Sequence, residues 1–491
     1  MATTTARSGT KSLILALACA AQFMVVMDVA IVNVALPSIQ RDLGVSESTL
    51  QWVVIAYGLL LGGFLLFGGR MADLLGRRRI LLTGLTIFSG ASFLAGVSQS
   101  IGMLIAARGL QGFGAALVTP AALSILAVTF TEGQDRNRAL GIYGAVGGTS
   151  ATVGVIASGL LTDGPGWRWI FFINVPVGVV LIALATVFLV VDRANRGAGR
   201  FDVAGATTVT GGLLLLVYGL NRGADYGWTS ASTLALFGAA AVLLAAFVRV
   251  EGRSRHPLVP AAALRNRTLV AANLSAFFVF AAFFSFIFLG SLLMQQVLGY
   301  SATKTGVSWL ATSVTAFVAS AFTGAQLVGR FGVRRLLITG LSLLAIGVLW
   351  LARVPADADY LTDLLPAFVL AGIAIGLCAP SAQIGALAGV TDTATGFAAG
   401  LVETMREIGG AAGVAAVSTV LVSQVGLTGF HAAFVVICIA GALGAITATV
   451  AFERHAGSKA TDQGSGPAAG DGVLVPVPVP VQSPPGPVPG R

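Results

Sequence analysis

Long apolar runs, broken by short polar segments rich in arginine, recur along the chain to about residue 452. A membrane-spanning helix needs about 20 consecutive apolar residues. By that rule the first part carries runs at about 13–37, 50–69, 80–98, 103–127, 138–161, 168–191, 203–221 and 231–249. The second part adds about 269–294, 304–328, 335–352, 363–386, 396–422 and 429–452, fourteen in all. The pattern predicts an all-α polytopic membrane protein. The first run opens like a secretory leader, with "ACAAQ" as a small-residue cleavage site, but stays apolar to about Pro37. It is read as a retained helix.

The basic residues orient this array. With both termini on the cytoplasmic side, 22 of the 29 Lys and Arg fall on inner segments, five on outer ones and two, Arg108 and Arg406, within helices. This is a positive-inside bias, and one missing or extra helix would scramble it. Composition agrees: 56% of residues are hydrophobic and 10% charged, with a mean hydropathy of +0.89. A soluble domain carries about 25% charged residues. The net charge of +9 could suggest nucleic acid, but its bearers sit in short loops between apolar runs. Cys19, Cys378 and Cys438 all lie inside apolar runs and do not form a disulfide framework.

An internal repeat organises the runs. In "GGRMADLLGRRRIL" and "GAQLVGRFGVRRLL", Gly68, Gly76, Arg78, Arg79 and Leu81 fall on Gly324, Gly332, Arg334, Arg335 and Leu337, always 256 residues apart. A weaker echo relates "GFGAALVTP" to "GIAIGLCAP" at a spacing of 260. Two halves of six helices with a substrate site between them are one architecture of secondary transporters. The predicted organisation is a cytoplasmic segment 1–12, an N-terminal half 13–191, a two-helix insert with linkers 192–268, a C-terminal half 269–452 and a tail 453–491. The tail, with "GSGPAAGDG" and "VLVPVPVPVQSPPGPVPG", is expected to be disordered or polyproline II.

These stretches resemble the major facilitator superfamily, in particular its fourteen-helix drug:proton antiporter branch. "MDVAIVNVALPSI" is similar to the first-helix motif of that branch. "GGRMADLLGRRR" resembles the superfamily loop motif through Gly69, Asp73, Gly76, Arg77 and Arg78. "ARGLQGFGAALVTPAAL" resembles the fourth-helix motif through Arg108, Gln111 and Gly112, and "GWRWIFFINVPVG" also matches. The resemblance implies the major facilitator fold, with two six-helix halves plus two inserted helices. It implies export of a lipophilic drug or antibiotic in exchange for protons, from the plasma or inner membrane, with no cofactor beyond the proton gradient. The fifth-helix motif that the family associates with antiport departs here: among the candidates Gly144, Gly148, Gly154 and Gly159, Gly154 and Gly159 match it, but Val155 stands where Pro is expected and Ser158 where the first of two Gly is expected. Without that Pro the helix is expected to be straighter and the resting state less tightly sealed.

An ionisable group inside a membrane helix is a functional candidate. Asp28 lies about 15 residues into its run, roughly 22 Å along the axis, with no cation in the same helix. Desolvation penalises its charged form, so it is a candidate proton carrier, or else a packing carboxylate that never titrates. Arg108, Gln111, Ala115 and Thr119 share a helical face. In the resemblance that face lines the central cavity, and Arg108 governs proton exchange, with Asp28 its suggested partner in one conformation. Arg108 could equally be a structural pin on backbone carbonyls. Asp73 with Arg77 and Arg78 forms a candidate latch with Gly69 and Gly76, closing the inner side in one state. Glu403, Arg406 and Glu407, at i, i+3 and i+4, share a face. They read as an internal salt bridge or as a second proton or cation site, where the family has uncharged polar residues.

The remaining candidates for the substrate cavity are Asn33, Trp52 and Tyr57, with Gln111 and Thr119; aromatic walls suit a lipophilic cation. Expected partners are the lipid bilayer, a lipophilic small molecule and protons, with no nucleic acid, and the chain is expected to act as a monomer. An uptake symporter of the same fold is the alternative. A membrane-embedded enzyme is less favoured: His256, His431 and His455 lie in loops or at helix ends, and no HExxH, metal cluster or GxxxxGK[ST] loop is present.

Overall fold

The computed structural model describes residues 8–190, 202–254, 259, 265–424 and 426–452. The tail at 453–491, the first seven residues and most of both linkers of the insert lie outside the described residues. The described chain is helical, in the order α1 (Ser8–Leu43), α2 (Glu47–Leu75), α3 (Arg77–Gly96), α4 (Ile101–Thr129), α5 (Gln134–Asp163) and α6 (Asn174–Phe188). An inserted pair follows, α7 (Val203–Tyr226) and α8 (Ala231–Glu251). Then come α9 (Arg267–Leu292), α10 (Leu310–Phe322), α11 (Val328–Leu351), α12 (Leu365–Leu387), α13 (Thr395–Ser423) and α14 (Leu427–Ala451). The polar breaks in the hydropathy pattern supply the starts. Ser46, Ser100, Asp202, Ser230, Asn266 and Ser301 each accept a hydrogen bond from a backbone N–H three residues on.

Thirteen described stretches are long and apolar enough to cross a membrane. One of them, Thr303–Leu351, has 49 residues, about twice the length a single crossing needs. It is broken at Gly332, near the start of α11, where φ is +77°, so the crossing that contains α10 ends there and the rest of α11 forms the next. The fourteen predicted helices are therefore all present.

The duplication is visible in the packing. In the first half α1 packs on α5, α2 on α4, and α3 on α4 and α6. In the second half the same order holds: α9 on α13, α10 on α12, and α11 on α12 and α14. The repeated loop has matching geometry. Gly76 breaks the chain between α2 and α3 with φ +99°, as Gly332 does 256 residues later with φ +77°. Just beyond, Arg78 donates to the Ala185 and Thr186 carbonyls at the end of α6, at 3.4 and 2.6 Å. Its counterpart Arg334 donates to the Thr449 carbonyl at the end of α14, at 2.8 Å. Each arginine staples the third helix of its half to the sixth. Because an L-residue is strained at positive φ by about 1–2 kcal/mol, Gly332→Ala is expected to lower the thermal midpoint of the purified protein. Ala substituted at Gly329, a helical glycine with open space around it, is expected to leave that midpoint unchanged in the same unfolding assay.

The inserted pair spans the outside of the bundle where the halves meet. α7 packs on both α2 and α13. Gly62 and Gly63 on α2 make room for Val217 and Leu214. Trp228 Nε1 donates to Thr419 Oγ1 on α13 at 2.5 Å. The exposed face of α8, with Leu234, Val242 and Val248, is apolar.

Candidate functional site

The site residues divide into two buried charge clusters and a seam. The first cluster lies wholly within the first half. Asp28 on α1 is fully buried, and its Oδ2 accepts from Arg108 Nη1 on α4 at 2.5 Å. Its Oδ1 accepts from Asn174 Nδ2 on α6 at 2.7 Å and from Gln111 Nε2 at 3.2 Å. Arg108 also donates to Gln111 Oε1 at 2.9 Å and, through Nε, to the Val53 carbonyl on α2 at 3.1 Å. Its guanidinium lies 4.2 Å from the centre of the Tyr57 ring. Gln111 Nε2 reaches on to Ser92 Oγ on α3 at 2.7 Å. Five helices thus converge on one carboxylate–guanidinium pair. Breaking such a pair by removing one charge costs about 3–5 kcal/mol, because the other is left unpaired in a dry interior.

The second cluster lies on α13. Glu403 is 1% exposed and forms an ion pair with Arg406 one turn along. Arg406 Nε and Nη2 both donate to Glu407 Oε1, at 3.1 and 2.9 Å. Gln383 on α12 donates to Glu403 Oε1 at 3.4 Å. Phe280 on α9 flanks the guanidinium at 5.8 Å.

The seam joins the halves at the bundle end bearing the α2–α3 and α12–α13 connections. The Asp73 carboxylate, 1% exposed, accepts from the backbone N–H groups of Gly396 and Phe397, both at 2.8 Å. These lie in the first turn of α13, where a negative charge complements the helix dipole. Arg77 donates to Ser124 Oγ at 2.7 Å, to Thr395 Oγ1 at 2.9 Å and to the Asp392 carbonyl. Ser124 and Thr395 hydroxyls are themselves 2.9 Å apart. Glycine is required here: a Cβ on Gly69 would stand 2.2 Å from the Gly396 carbonyl oxygen, and one on Gly396 would stand 2.3 Å from that of Gly69.

Comparison with known proteins decides the family. The Major Facilitator Superfamily profile matches residues 18–308 and 272–483. The chain belongs to the Major Facilitator Superfamily. Relatives include the puromycin resistance protein pur8 of Streptomyces alboniger, 39% identical over 82% of this chain and 80% of its own length. The cephamycin export protein CmcT of Amycolatopsis lactamdurans is 36% identical over 85% of this chain and 86% of its own. The tetracenomycin C resistance and export protein of Streptomyces glaucescens is 33% identical over 82% and 74%. Among solved structures, the human organic anion transporter MFSD10 superposes with a TM-score of 0.68 at 14% identity, covering 89% of this chain and 99% of that one. The superfamily is one of transporters, not enzymes, and this chain is a multi-pass membrane transporter.

Within this superfamily fold the candidate residues part company. Tyr57 and Gln111 are committed to the Asp28 cluster, the hydroxyl of Tyr57 reaching the Val25 carbonyl at 3.4 Å. Trp52 packs against Tyr218 of the insert, with ring centres 5.8 Å apart. Asn33 is exposed and donates to the Val29 carbonyl of its own helix. Thr119 is fully buried, its hydroxyl without a partner. Of the latch set, Gly69, Asp73 and Arg77 reach the opposite half. Arg78 binds carbonyls of α6 in its own half, and Gly76 acts as the helix break.

α5 is continuous, and side chains of the second half pack beside it. Val155 packs where a Cβ on Gly306 would stand, 2.6 Å from its Cγ1, and Thr152 hydrogen-bonds to Ser313. Gly144 and Gly148 face Ser320, Pro380 and Ala316 of the second half, whereas Gly154 abuts Met27 on α1, and Gly159 meets open space. Sequence reasoning missed Asn174 and Ser92. Asn174 was visible as the single amide in the apolar "WIFFINVPVG". Two cavities lie apart from both charge clusters. One of about 440 Å³ is an apolar groove between α1 and α6. The other, about 550 Å³, lies where Gly133 and Gln134 meet Gly324–Gln326.

Proposed function

We propose that this transporter exports a lipophilic drug or antibiotic in exchange for protons by alternating access. It acts as a monomer in the plasma or inner membrane, with both termini cytoplasmic. The observation that carries this reading is the Asp28–Arg108 pair, an ionisable couple held by five helices in a fully buried position. The names of the relatives, which include resistance and export proteins, support the direction. The excess of Lys and Arg on the seam end supports a cytoplasmic assignment for that end.

With the cytoplasmic seam closed, a proton arriving at Asp28 removes its charge. Arg108 then loses its anionic partner and must find carbonyls, water or Gln111 instead, which loosens α1 against α4 and α6. The halves rock, Asp73 leaves the first turn of α13, and the cavity opens to the cytoplasm. Cargo enters, the proton leaves, and the pair re-forms as the seam closes. One charge crossing 100 mV supplies about 2.3 kcal/mol, on the order of a 50-fold gradient of cargo.

The test is accumulation of a lipophilic fluorescent drug in inside-out vesicles whose lumen is acidified without ATP. Accumulation is expected, with collapse on adding a protonophore. Accumulation indifferent to the gradient, or drug leaving the acid lumen together with protons, would overturn the proposal.

A further inference from the structure

The second cluster has a charge imbalance that the Asp28 pair does not have. Glu403, Arg406 and Glu407 sum to one surplus negative charge when ionised, and they sit in the first half of α13, two to three turns in, with exposures of 1%, 12% and 20%. Arg406 is already neutralised by either carboxylate alone. A surplus charge in a membrane interior is expensive and calls for a compensating cation. Among the described residues, the charges acting on Glu403 are only Arg406 and Glu407 of its own helix. α12 contributes the neutral Gln383, and α9 contributes Phe280. The titratable groups facing the cluster are Tyr143 on α5 and Tyr57 on α2, whose ordinary forms are neutral. α4, α7 and α14, which also pack on α13, add no charge to Glu403.

A second observation points to a ligand. Gln383 is 9% exposed and donates its amide N–H to Glu403, yet its Oε1 has no hydrogen-bond partner. A buried carbonyl oxygen left open beside surplus carboxylate is an acceptor surface with no donor. The phenyl face of Phe280 adds an apolar, cation-tolerant wall.

We infer that the Glu403–Arg406–Glu407 cluster, with Gln383, is the site for the cationic centre of the cargo, and that it holds either one proton or one monovalent lipophilic cation. This inference rests on the export reading above and names its substrate class. The exchange balances: the protonated cluster is neutral, cargo of charge +1 displaces one proton, and the loaded cluster is neutral again. Asp28 is then the group that responds to the gradient, and the α13 cluster is the group that selects for charge.

Tetraphenylphosphonium is the probe. Purified protein in weakly buffered detergent is expected to bind it and to release protons as it does. Glu403→Gln and Glu407→Gln each remove the surplus charge. Each is expected to weaken binding by at least about thirtyfold and to abolish the release. Glu407 is the more exposed, so Glu407→Gln carries the test if Glu403→Gln fails to fold. Unchanged binding and release in both Gln variants would overturn the inference. Wild-type protein that ignores tetraphenylphosphonium would also overturn it, yet gradient-driven export of a neutral drug would leave the export proposal standing. Drug accumulation without gradient dependence would sink the export proposal and leave the binding result legible on its own.

Discussion

Asp28→Asn is expected to bring gradient-driven drug accumulation in inside-out vesicles down to that of vesicles lacking the protein. Asn keeps the size of the side chain and can still accept from Asn174, but it has no charge to set against Arg108 and no proton to exchange. Two effects must be separated, because an unpaired buried guanidinium also destabilises the fold by about 3–5 kcal/mol. The double variant Asp28→Asn/Arg108→Gln separates them. Removing both charges together leaves no unpaired ion, so its thermal midpoint is expected to return most of the way to wild type. Transport is expected to stay at background in both. If the double variant regains gradient-dependent accumulation, the pair is a structural pin and the proton passes elsewhere.

The helices were legible because a bilayer imposes one length and one polarity on every crossing. The repeat was legible for a similar reason. A chain that must stop one helix and start the next at the membrane surface needs a left-handed residue, and Gly76 and Gly332 supply it in both halves. The resemblance suggested Asp28 as the partner of Arg108, and spacing suggested the salt bridge of Glu403, Arg406 and Glu407; what the sequence did not reveal was the shell of amides around the first pair. Asp28 carries no sign in its own helix of being tied to α4 and α6 at once, since Arg108 and Asn174 lie 80 and 146 residues away. A helical wheel places Arg108, Gln111 and Thr119 on one face, yet Gln111 turns into the first-half network while Thr119 finds no partner. Periodicity gives a direction from the helix axis; it does not give the neighbour met there.

The loop motif shows the same limit from the other side. Its residues read as one latch because they are contiguous, but they point two ways. Arg78 and its repeat partner Arg334 do identical work inside their own halves. Asp73 and Arg77 have no such partners: Gly329 and Val333 occupy the places 256 residues on. The charges of the seam therefore come from the first half, and the second half answers with a helix N-terminus and hydroxyl groups. That asymmetry, visible in the aligned repeat, marks the two charged residues of this motif that act between halves.

A covalent tie across this seam is expected to stop transport. Ser124 and Thr395 place their hydroxyl oxygens 2.9 Å apart on opposite halves. Sulfur in both positions falls within reach of the roughly 2.05 Å disulfide bond after a small rotation. The native thiols interfere little, because Cys19 and Cys378 are buried, and Cys438, which is partly exposed, can be replaced by Ser. In a Ser124→Cys/Thr395→Cys protein, oxidation is expected to drop accumulation to background, and reductant to restore the level of the reduced form. The native seam consists of hydrogen bonds worth about 0.5–1.5 kcal/mol each, or about 1.5–3 kcal/mol where a charge takes part. As the halves rock, such bonds can be exchanged one by one for bonds to water; a covalent bond cannot. Each single Cys variant loses one hydroxyl contact of Arg77 and is expected to transport with only modest change under either condition. Full activity in a quantitatively cross-linked protein would mean that these halves never separate here, and that access to the cavity runs by another route.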